Sequence, residues 1–282
     1  MSAALSPPNT LARIHRHLVS LKMARALEVI DATVEQLEQG SLSALEAIEL
    51  LLSEELSTRE TRRIKMALTT ARLTRIKTLE SFDFSFQPSL DRNRILTLAQ
   101  LDFIARNEAV HFLGPPGTGK SHLALALGLE AVKAGKSVYF TTLAEVIATL
   151  TNAQREGQLT QRLRFLTRNA LLIIDEIGFL PVDQAGANLF FQLINSRYEK
   201  GAMILTSNRG FNEWGEIFGD TVVAAALLDR LLHHAVVITI EGSSYRLRQH
   251  AHLMPEHLKA APPASDAPRR RRRANSPPAV DE

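Results

Sequence analysis

One short segment of the 282-residue chain, residues 114–121, has the glycines, the lysine and the hydroxyl side chain that phosphate binding requires. It reads GPPGTGKS and has the spacing G-x-x-x-x-G-K-[ST], between an apolar run and a helical pattern. Its glycines let backbone N–H groups approach phosphates at a helix N-terminus. Lys120 would reach the β- and γ-phosphates, and the Ser121 hydroxyl would ligate Mg²⁺. The predicted nucleotide-contacting residues are Gly114, Pro115, Pro116, Gly117, Thr118, Gly119, Lys120, Ser121 and His122.

Two acidic residues, Asp175 and Glu176, directly follow the apolar run 170–174. At the end of a strand, Asp175 would hold Mg²⁺ through water, and Glu176 would be the general base that activates the attacking water. A solvated turn is the alternative for this acidic pair. Asn208 follows the next apolar run, where its amide could contact the γ-phosphate or the attacking water; a plain loop asparagine is the alternative there.

One arginine, Arg230, lies in the short and mostly apolar helical pattern 227–232. An arginine that reaches the nucleotide of a neighbouring subunit would stabilise the charge of the transition state. The alternative is a surface ion pair with Asp229. Arg246 is a second and weaker candidate for a contact with nucleotide.

The pattern of apolar runs predicts an α/β fold. Near-continuous apolar runs alternate with helical segments, which is typical of a parallel sheet covered by helices on both faces. The five predicted strands are 109–113, 137–141, 170–174, 202–206 and 235–240. Around them we predict a helical N-terminal domain over 1–80, a linker over 81–94, the ATPase domain over 95–250 and a disordered basic tail over 251–282. Gly40 and Ser41 mark a break between N-terminal helices, with Ser41 or Ser43 as the cap of the next helix.

Composition excludes several classes of protein and of site. The chain is 45% hydrophobic. Because it has no cysteine, disulfides, thiolate metal sites and cysteine nucleophiles are excluded. The sequence lacks a secretory signal and an apolar run long enough for a membrane span, and we expect a cytoplasmic protein with no membrane partner. Three pairs of histidines lie close in sequence, but no third metal ligand is indicated for any of them, and we expect surface histidines. They are His15/His17, His233/His234 and His250/His252.

Charge is separated into blocks along the N-terminal region. Residues 28–55 contain eight acidic side chains and no basic one, whereas residues 59–77 contain seven basic side chains and one acidic one. If 59–77 is helical, six of these cations share the side opposite an apolar face, which suits the phosphate backbone of DNA. They are Arg59, Arg62, Arg63, Lys65, Arg72 and Lys77. Pairing with the acidic segment is the alternative, and the arginines 269–273 could equally be a DNA-binding arm or a solvated tail.

Four segments together resemble the AAA+ ATPase module, and more closely the IstB-like transposition helper family, which is related to DnaC-type helicase loaders. They are GPPGTGKSHLALALG at 114–128, LLIIDEIGFLP at 171–181, the run 195–220, and ALLDRLLHHAVVITIEGSSYRLR at 226–248. The resemblance covers nearly the whole chain to about residue 250. It departs from general AAA+ architecture in one respect: we expect only about ten ordered residues between the last predicted strand and the disordered tail, too few for a helical lid domain.

The resemblance implies a bacterial ATPase that uses ATP and Mg²⁺, assembles into a ring or helical oligomer, and binds double-stranded DNA. Such a protein assists a transposase in target selection and capture; the alternative is a loader of a replicative helicase. A scaffold that binds ATP without hydrolysing it is a further possibility, against which Glu176 argues. The residues that inherit roles from the family are Lys120, Ser121, Asp175, Glu176, Asn208 and Arg230.

Overall fold

The computed structural model describes residues 10–248. The predicted tail 251–282, with its arginines 269–273, and the pair His250/His252 lie outside the described residues. Within the described part, no helix is both long and apolar enough to cross a membrane.

Three helices precede the sheet, α1 (Thr10–Ser20), α2 (Ala24–Glu38) and α3 (Ala44–Thr70). The predicted break at Gly40 and the predicted cap at Ser43 are confirmed: the Ser43 hydroxyl accepts from the Glu46 backbone N–H, and the Glu46 side chain accepts from the Ser43 N–H. A small core centred on Leu18, Ala26 and Ile30 holds the first two helices together.

The predicted helix over 59–77 is wrong beyond residue 70. Helix α3 ends at Thr70, and Arg72 then adopts a left-handed backbone conformation with φ 62°. Leu73 and Leu79 belong to the core beside the sheet, and the Ala71 carbonyl accepts from the Phe140 backbone N–H at 2.9 Å. These contacts with the sheet replace the helical contacts that the sequence pattern favours, so Arg72 and Lys77 do not share the helix face of Arg62 and Lys65.

The predicted five-stranded parallel sheet is confirmed. Its strands are β1 (Ala109–Leu113), β2 (Val138–Thr142), β3 (Leu171–Ile177), β4 (Ala202–Ser207) and β5 (Ala235–Thr239). They lie in the order β2-β3-β4-β1-β5, and each pair is parallel. The register between β3 and β4 shifts between Ile174 and Ile177, directly where the acidic pair lies.

Helices cover both faces of this sheet. They are α4 (Arg92–Leu98), α5 (Asp102–Ala105), α6 (Lys120–Lys133), α7 (Leu143–Arg155), α8 (Leu159–Thr167), α9 (Gln184–Arg197), α10 (Trp214–Ile217) and α11 (Thr221–Leu232). One core contains Val110, Phe112 and the apolar side of α6, whereas the other contains Leu172, Ile174 and the apolar side of α9. Burial on both faces explains why the strands are apolar without alternation.

Candidate nucleotide site

The loop between β1 and α6 contains the predicted phosphate-binding segment and wraps around its own lysine. Gly117 and Gly119 have φ values of 83° and 102°, a conformation that favours glycine. Side chains are excluded there by packing as well, because a Cβ at Gly117 would overlap Ser244 and one at Gly119 would overlap Phe82. The loop therefore needs glycine at both positions for its conformation and for its close neighbours.

Lys120 begins α6, and its side chain turns back into the loop. Its Nζ donates hydrogen bonds to the carbonyl oxygens of Gly114 and Pro115, both at 2.7 Å, and the residue is 8% exposed. Burial lowers the pKa of Lys120 to about 8, although the charge of Asp175 acts in the opposite direction. An ammonium group that has lost much of its hydration gains strongly from a phosphate oxygen placed beside it.

Ser121 and Asp175 come from two different elements and meet beside this lysine. The Ser121 hydroxyl donates to the Asp175 Oδ1 at 2.8 Å, and the Thr206 hydroxyl on β4 donates to the same oxygen. Asp175 is 6% exposed. A hydroxyl oxygen and a carboxylate oxygen are the hard ligands that Mg²⁺ prefers, so the residues present fit this ion.

Glu176 is exposed, whereas the preceding residue Asp175 is buried. It has φ 65°, and its backbone N–H donates to the Thr206 hydroxyl at 3.1 Å. Its side chain lines an open pocket of about 390 Å³ together with Phe179 and Leu180, both of which are exposed. The carboxylate is thus free to contact a water molecule at the end of β3.

Asn208 lies directly after β4 and is bound to the last residue of β3 and to the residue that follows it. Its amide nitrogen donates to the carbonyl oxygens of Ile177 and Gly178, at 3.0 and 3.1 Å. The side chain therefore fixes the loop behind Glu176. The structure places it at the same sheet edge as the acidic pair, and its predicted contact with the γ-phosphate stays a prediction.

His122 and Thr118 contact protein groups around the loop. The His122 Nε2 lies 2.8 Å from the Thr78 carbonyl oxygen, and its ring packs edge-on against Phe82. Thr118 donates to the Pro115 carbonyl at 2.9 Å and is buried. Both residues shape the loop, and their predicted contacts with nucleotide remain predictions.

The segment 241–248 crosses the loop, a contact that sequence reasoning missed. The Tyr245 backbone N–H donates to the Gly117 carbonyl at 2.9 Å, and the Gln87 amide donates to the Ser243 carbonyl at 3.1 Å. The positive charge of Arg246 contributes to the lowered pKa of Lys120, so this arginine lies near the site. The prediction of Arg246 as a second candidate for a nucleotide contact agrees with this position.

Arg230 lies at the opposite edge of the sheet from the phosphate-binding loop. The loop follows the carboxyl end of β1, whereas Arg230 precedes the amino end of the neighbouring β5. Strands of five residues separate the two edges by about 16 Å. The Arg230 guanidinium carbon is 4.7 Å from the centre of the Tyr198 ring, and within residues 10–248 it forms no ion pair with Asp229.

The basic residues of α3 divide into paired and unpaired ones. Arg59 contacts Glu55 at 2.7 Å and Arg63 contacts Glu60 at 2.6 Å. Glu55 belongs to the acidic segment 28–55, so Arg59 forms the ion pair that was the alternative to DNA binding. Arg62 and Lys65 are exposed and have no ion pair among the described residues. These two side chains remain available to a polyanion.

A second basic surface, on α8 and the residue that follows it, was missed by sequence reasoning. Arg162 and Arg168 lie on the Phe165 ring, each with its guanidinium carbon 4.7 Å from the ring centre. Arg164 is exposed on the same helix. Residues 157–174 contain three arginines and no acidic residue, and this pattern could have indicated the basic surface.

Comparison with known proteins gives a consistent result. A family model described as IstB-like ATP binding protein matches residues 16–252. The chain is 48% identical over 232 residues to an ATP-binding protein of insertion sequence IS21 from Pseudomonas aeruginosa, which covers 82% of this chain and 88% of that one. It is 43% identical over 237 residues to an ATP-binding protein of insertion sequence IS5376 from Geobacillus stearothermophilus, covering 84% and 94%.

Solved structures show the same fold at low identity. AMPPCP-bound DnaA from Aquifex aeolicus aligns with a TM-score of 0.51 and 22% identity, over 64% of this chain and 55% of that one. DnaI aligns with a TM-score of 0.50 and 20% identity, over 60% of this chain and 92% of that one. The fold is therefore the P-loop AAA+ fold that the sequence resembles.

Proposed function

The chain belongs to the family of IstB-like ATP-binding proteins, and we propose that it is a DNA-binding AAA+ ATPase that assembles on DNA and assists a transposase in target selection and capture. Its close relatives are ATP-binding proteins of insertion sequences, which favours a transposase as the partner. A loader of a replicative helicase is the alternative, since such a protein would share the ATPase domain and differ in its partner.

The observation that carries the proposal is the meeting of Lys120, Ser121 and Asp175 at one sheet edge. The loop's backbone N–H groups and the start of α6 bind the phosphates, and Lys120 leaves its two carbonyl partners for a phosphate oxygen. Ser121 and Asp175 would hold Mg²⁺, which would supply positive charge to the β- and γ-phosphates.

Hydrolysis in this proposal uses Glu176 as the general base. Its carboxylate takes a proton from a water molecule while the water oxygen bonds to the γ-phosphorus, and the bond from that phosphorus to the bridging oxygen breaks to leave ADP. Asn208 fixes the loop behind Glu176 and so keeps this carboxylate at the sheet edge. Asp175 is buried and hydrogen-bonded, and its task is to hold the metal ion.

Arg230 acts on a neighbouring subunit in this proposal. Because it lies at the other edge of the sheet, it cannot reach the nucleotide of its own chain. A head-to-tail arrangement of subunits, in a ring or a helix, brings such an arginine to the next subunit's γ-phosphate. Assembly and hydrolysis are then coupled by one side chain.

DNA binding is proposed for the N-terminal region before the sheet, through the unpaired cations of α3. Arg62 and Lys65 would contact the phosphate backbone, which positions a protein on DNA without reading its sequence. The arginines of α8 and Arg168 directly after it offer a second basic surface on the ATPase domain. Both surfaces predict binding to double-stranded DNA of any sequence.

The nucleotide site is tested by comparing two lysines of the same helix. Lys120→Ala should lose most of its affinity for a fluorescent ATP analogue in the presence of Mg²⁺. Lys133→Ala is the matched control, because Lys133 ends α6 and pairs with Glu130 at the surface. It should bind the analogue like the unchanged protein. Equal affinity of both variants would overturn the site.

A further inference from the structure

Glu199, His233 and His234 meet on the surface at the amino edge of the sheet. Glu199 lies in the turn between α9 and β4, and the two histidines lie in the turn between α11 and β5. Candidate ligand atoms of the three side chains lie within 4.8 Å of one another. We propose that these residues form a binding site for Zn²⁺, with water as the fourth ligand.

The distances are close to those of a metal site. The Glu199 Oε1 is 3.9 Å from the His233 Nδ1 and 3.9 Å from the His234 Nε2. Ligand atoms bound tetrahedrally to one zinc ion are about 3.4 Å apart, so the distance from the carboxylate oxygen to each imidazole nitrogen exceeds this separation by roughly half an ångström. All three side chains are exposed, and rotation about their own bonds removes this excess without a change of the backbone.

The donor set selects the metal. Two imidazoles and one carboxylate suit Zn²⁺, whereas Mg²⁺ prefers oxygen ligands and keeps its water. The Mg²⁺ that accompanies a nucleotide would therefore not compete for this cluster. The carboxylate also supplies negative charge next to Arg230, which lines the same surface depression as Glu199 and His234.

The turns hold the ligands in place. Glu199 has φ 58°, and its carbonyl oxygen accepts from the Asn107 amide at 3.1 Å. The Tyr198 hydroxyl lies 2.8 Å from the His233 Nδ1. A zinc ion on this nitrogen takes the place of that hydroxyl, so Tyr198→Phe should bind zinc at least as tightly as the unchanged chain.

Zinc at this cluster would fix the end of the helix that bears Arg230. His233 follows α11 three residues after Arg230, and the Arg230 guanidinium lies on the Tyr198 ring beside the cluster. An ion bound to both turns would tie α11 to the end of α9. This consequence rests on the proposed role of Arg230 between subunits, whereas the binding of zinc does not.

The test is a calorimetric titration of the full chain, freed of metal by a chelator, with Zn²⁺ and without nucleotide. One ion per chain should bind, and Glu199→Gln, His233→Ala and His234→Ala should each weaken binding about tenfold or more. His15→Ala is the matched control, because His15 pairs with Asp31 on the N-terminal helices. It should bind zinc unchanged, and so should a variant that lacks His250 and His252.

Two outcomes overturn the site: no binding of zinc by the unchanged chain, or equal affinity of the three ligand variants and the His15→Ala control. Circular dichroism of each variant shows whether it is folded, and Mg²⁺ in place of Zn²⁺ should give no heat at the cluster. Because nucleotide is absent, failure here leaves the proposed ATPase untouched, and failure of Lys120→Ala to weaken nucleotide binding leaves the zinc site untouched.

Discussion

Glu176 combines a left-handed backbone with an exposed carboxylate at the end of a buried strand. Such a conformation is uncommon for a residue other than glycine, and it is retained where the surroundings determine it. Here the Thr206 hydroxyl binds both the Glu176 N–H and the Asp175 carboxylate, so one β4 side chain orients two consecutive acids. Two carboxylates that differ by one position thereby face different environments, and only the exposed one can meet a water molecule.

Replacing Glu176 by Gln should abolish hydrolysis and preserve nucleotide binding. Glutamine keeps the size of the side chain but cannot take a proton from water, so phosphate release should fall by 10²-fold or more, an order-of-magnitude expectation for a lost general base. Glu216→Gln is the control, because Glu216 is exposed on α10. Phosphate release by Glu176→Gln at the unchanged rate would exclude this residue as the base.

The two ends of helix α3 differ in how well the sequence predicts them. Its start was predictable because Ser43 and Glu46 form a local capping box. Its end was not, because residues 71–79 contain no helix-breaking glycine or proline and leave the helix only to pack Leu73 and Leu79 beside the sheet. Strands were located closely, since burial on both faces leaves an unambiguous apolar run.

The same limit applies to the residues that could do chemistry. The phosphate-binding loop and the acidic pair could be found in the sequence because their spacing is local and their strands are apolar. The approach of segment 241–248 to Gly117 and the meeting of Glu199 with His233 join residues far apart in the chain. Only the order of strands in the sheet brings such residues together.

The unpaired cations of α3 should determine how salt affects DNA binding. Each phosphate contact contributes about one unit to the slope of log affinity against log salt concentration. The double change Arg62→Gln and Lys65→Gln should make this slope shallower by up to about two units for every duplex tested. Folding should be unaffected because both side chains are exposed.

A matched control for this experiment is Arg94→Gln, which removes an exposed arginine from α4. It should leave the slope unchanged. If the double variant keeps the full slope, α3 is not the DNA-binding surface, and Arg164 on α8 and Arg168 directly after it should then be changed in the same assay.

His111 links β1 to the end of α11 and should make stability depend on pH. Its Nε2 contacts the Leu231 carbonyl at 3.2 Å, and burial lowers its pKa to about 4 from 6.5. Between these values the unfolded chain takes up a proton that the folded chain does not, so acid destabilises the fold. Lowering the pH from about 7.5 to about 5 should reduce the free energy of unfolding by about 2 kcal/mol through this residue.

The measurement is urea unfolding at both pH values, for the unchanged chain and for His111→Gln. The carboxylates affect the free energy of unfolding equally in both proteins. The difference between the two proteins in how this free energy changes with pH is therefore the contribution of His111. The variant should lose about 2 kcal/mol less on acidification. The same loss in both proteins would show that His111 is not held neutral.

At the scale of the whole molecule, the two edges of one sheet carry the two halves of the proposed catalytic site. Lys120, Asp175 and Glu176 lie at the carboxyl edge, and Arg230 lies at the amino edge. A parallel sheet cannot bring these edges together within one chain. The proposed ATPase is therefore complete only between neighbouring copies.

A site shared between subunits can be tested by mixing two variants that are each expected to be inactive. Lys120→Ala protein keeps Arg230 but should bind nucleotide only weakly, whereas Arg230→Ala protein should bind nucleotide but lacks the arginine for its neighbour. In head-to-tail assemblies mixed at equal amounts, about a quarter of the interfaces join an intact nucleotide site to an intact arginine. Phosphate release should therefore recover to about a quarter of the rate of the unchanged protein. As a control, the Lys120→Ala, Arg230→Ala double variant mixed with Arg230→Ala protein should recover no activity. No recovery at any mixing ratio, with mixed oligomers confirmed by light scattering, would contradict a site shared between subunits.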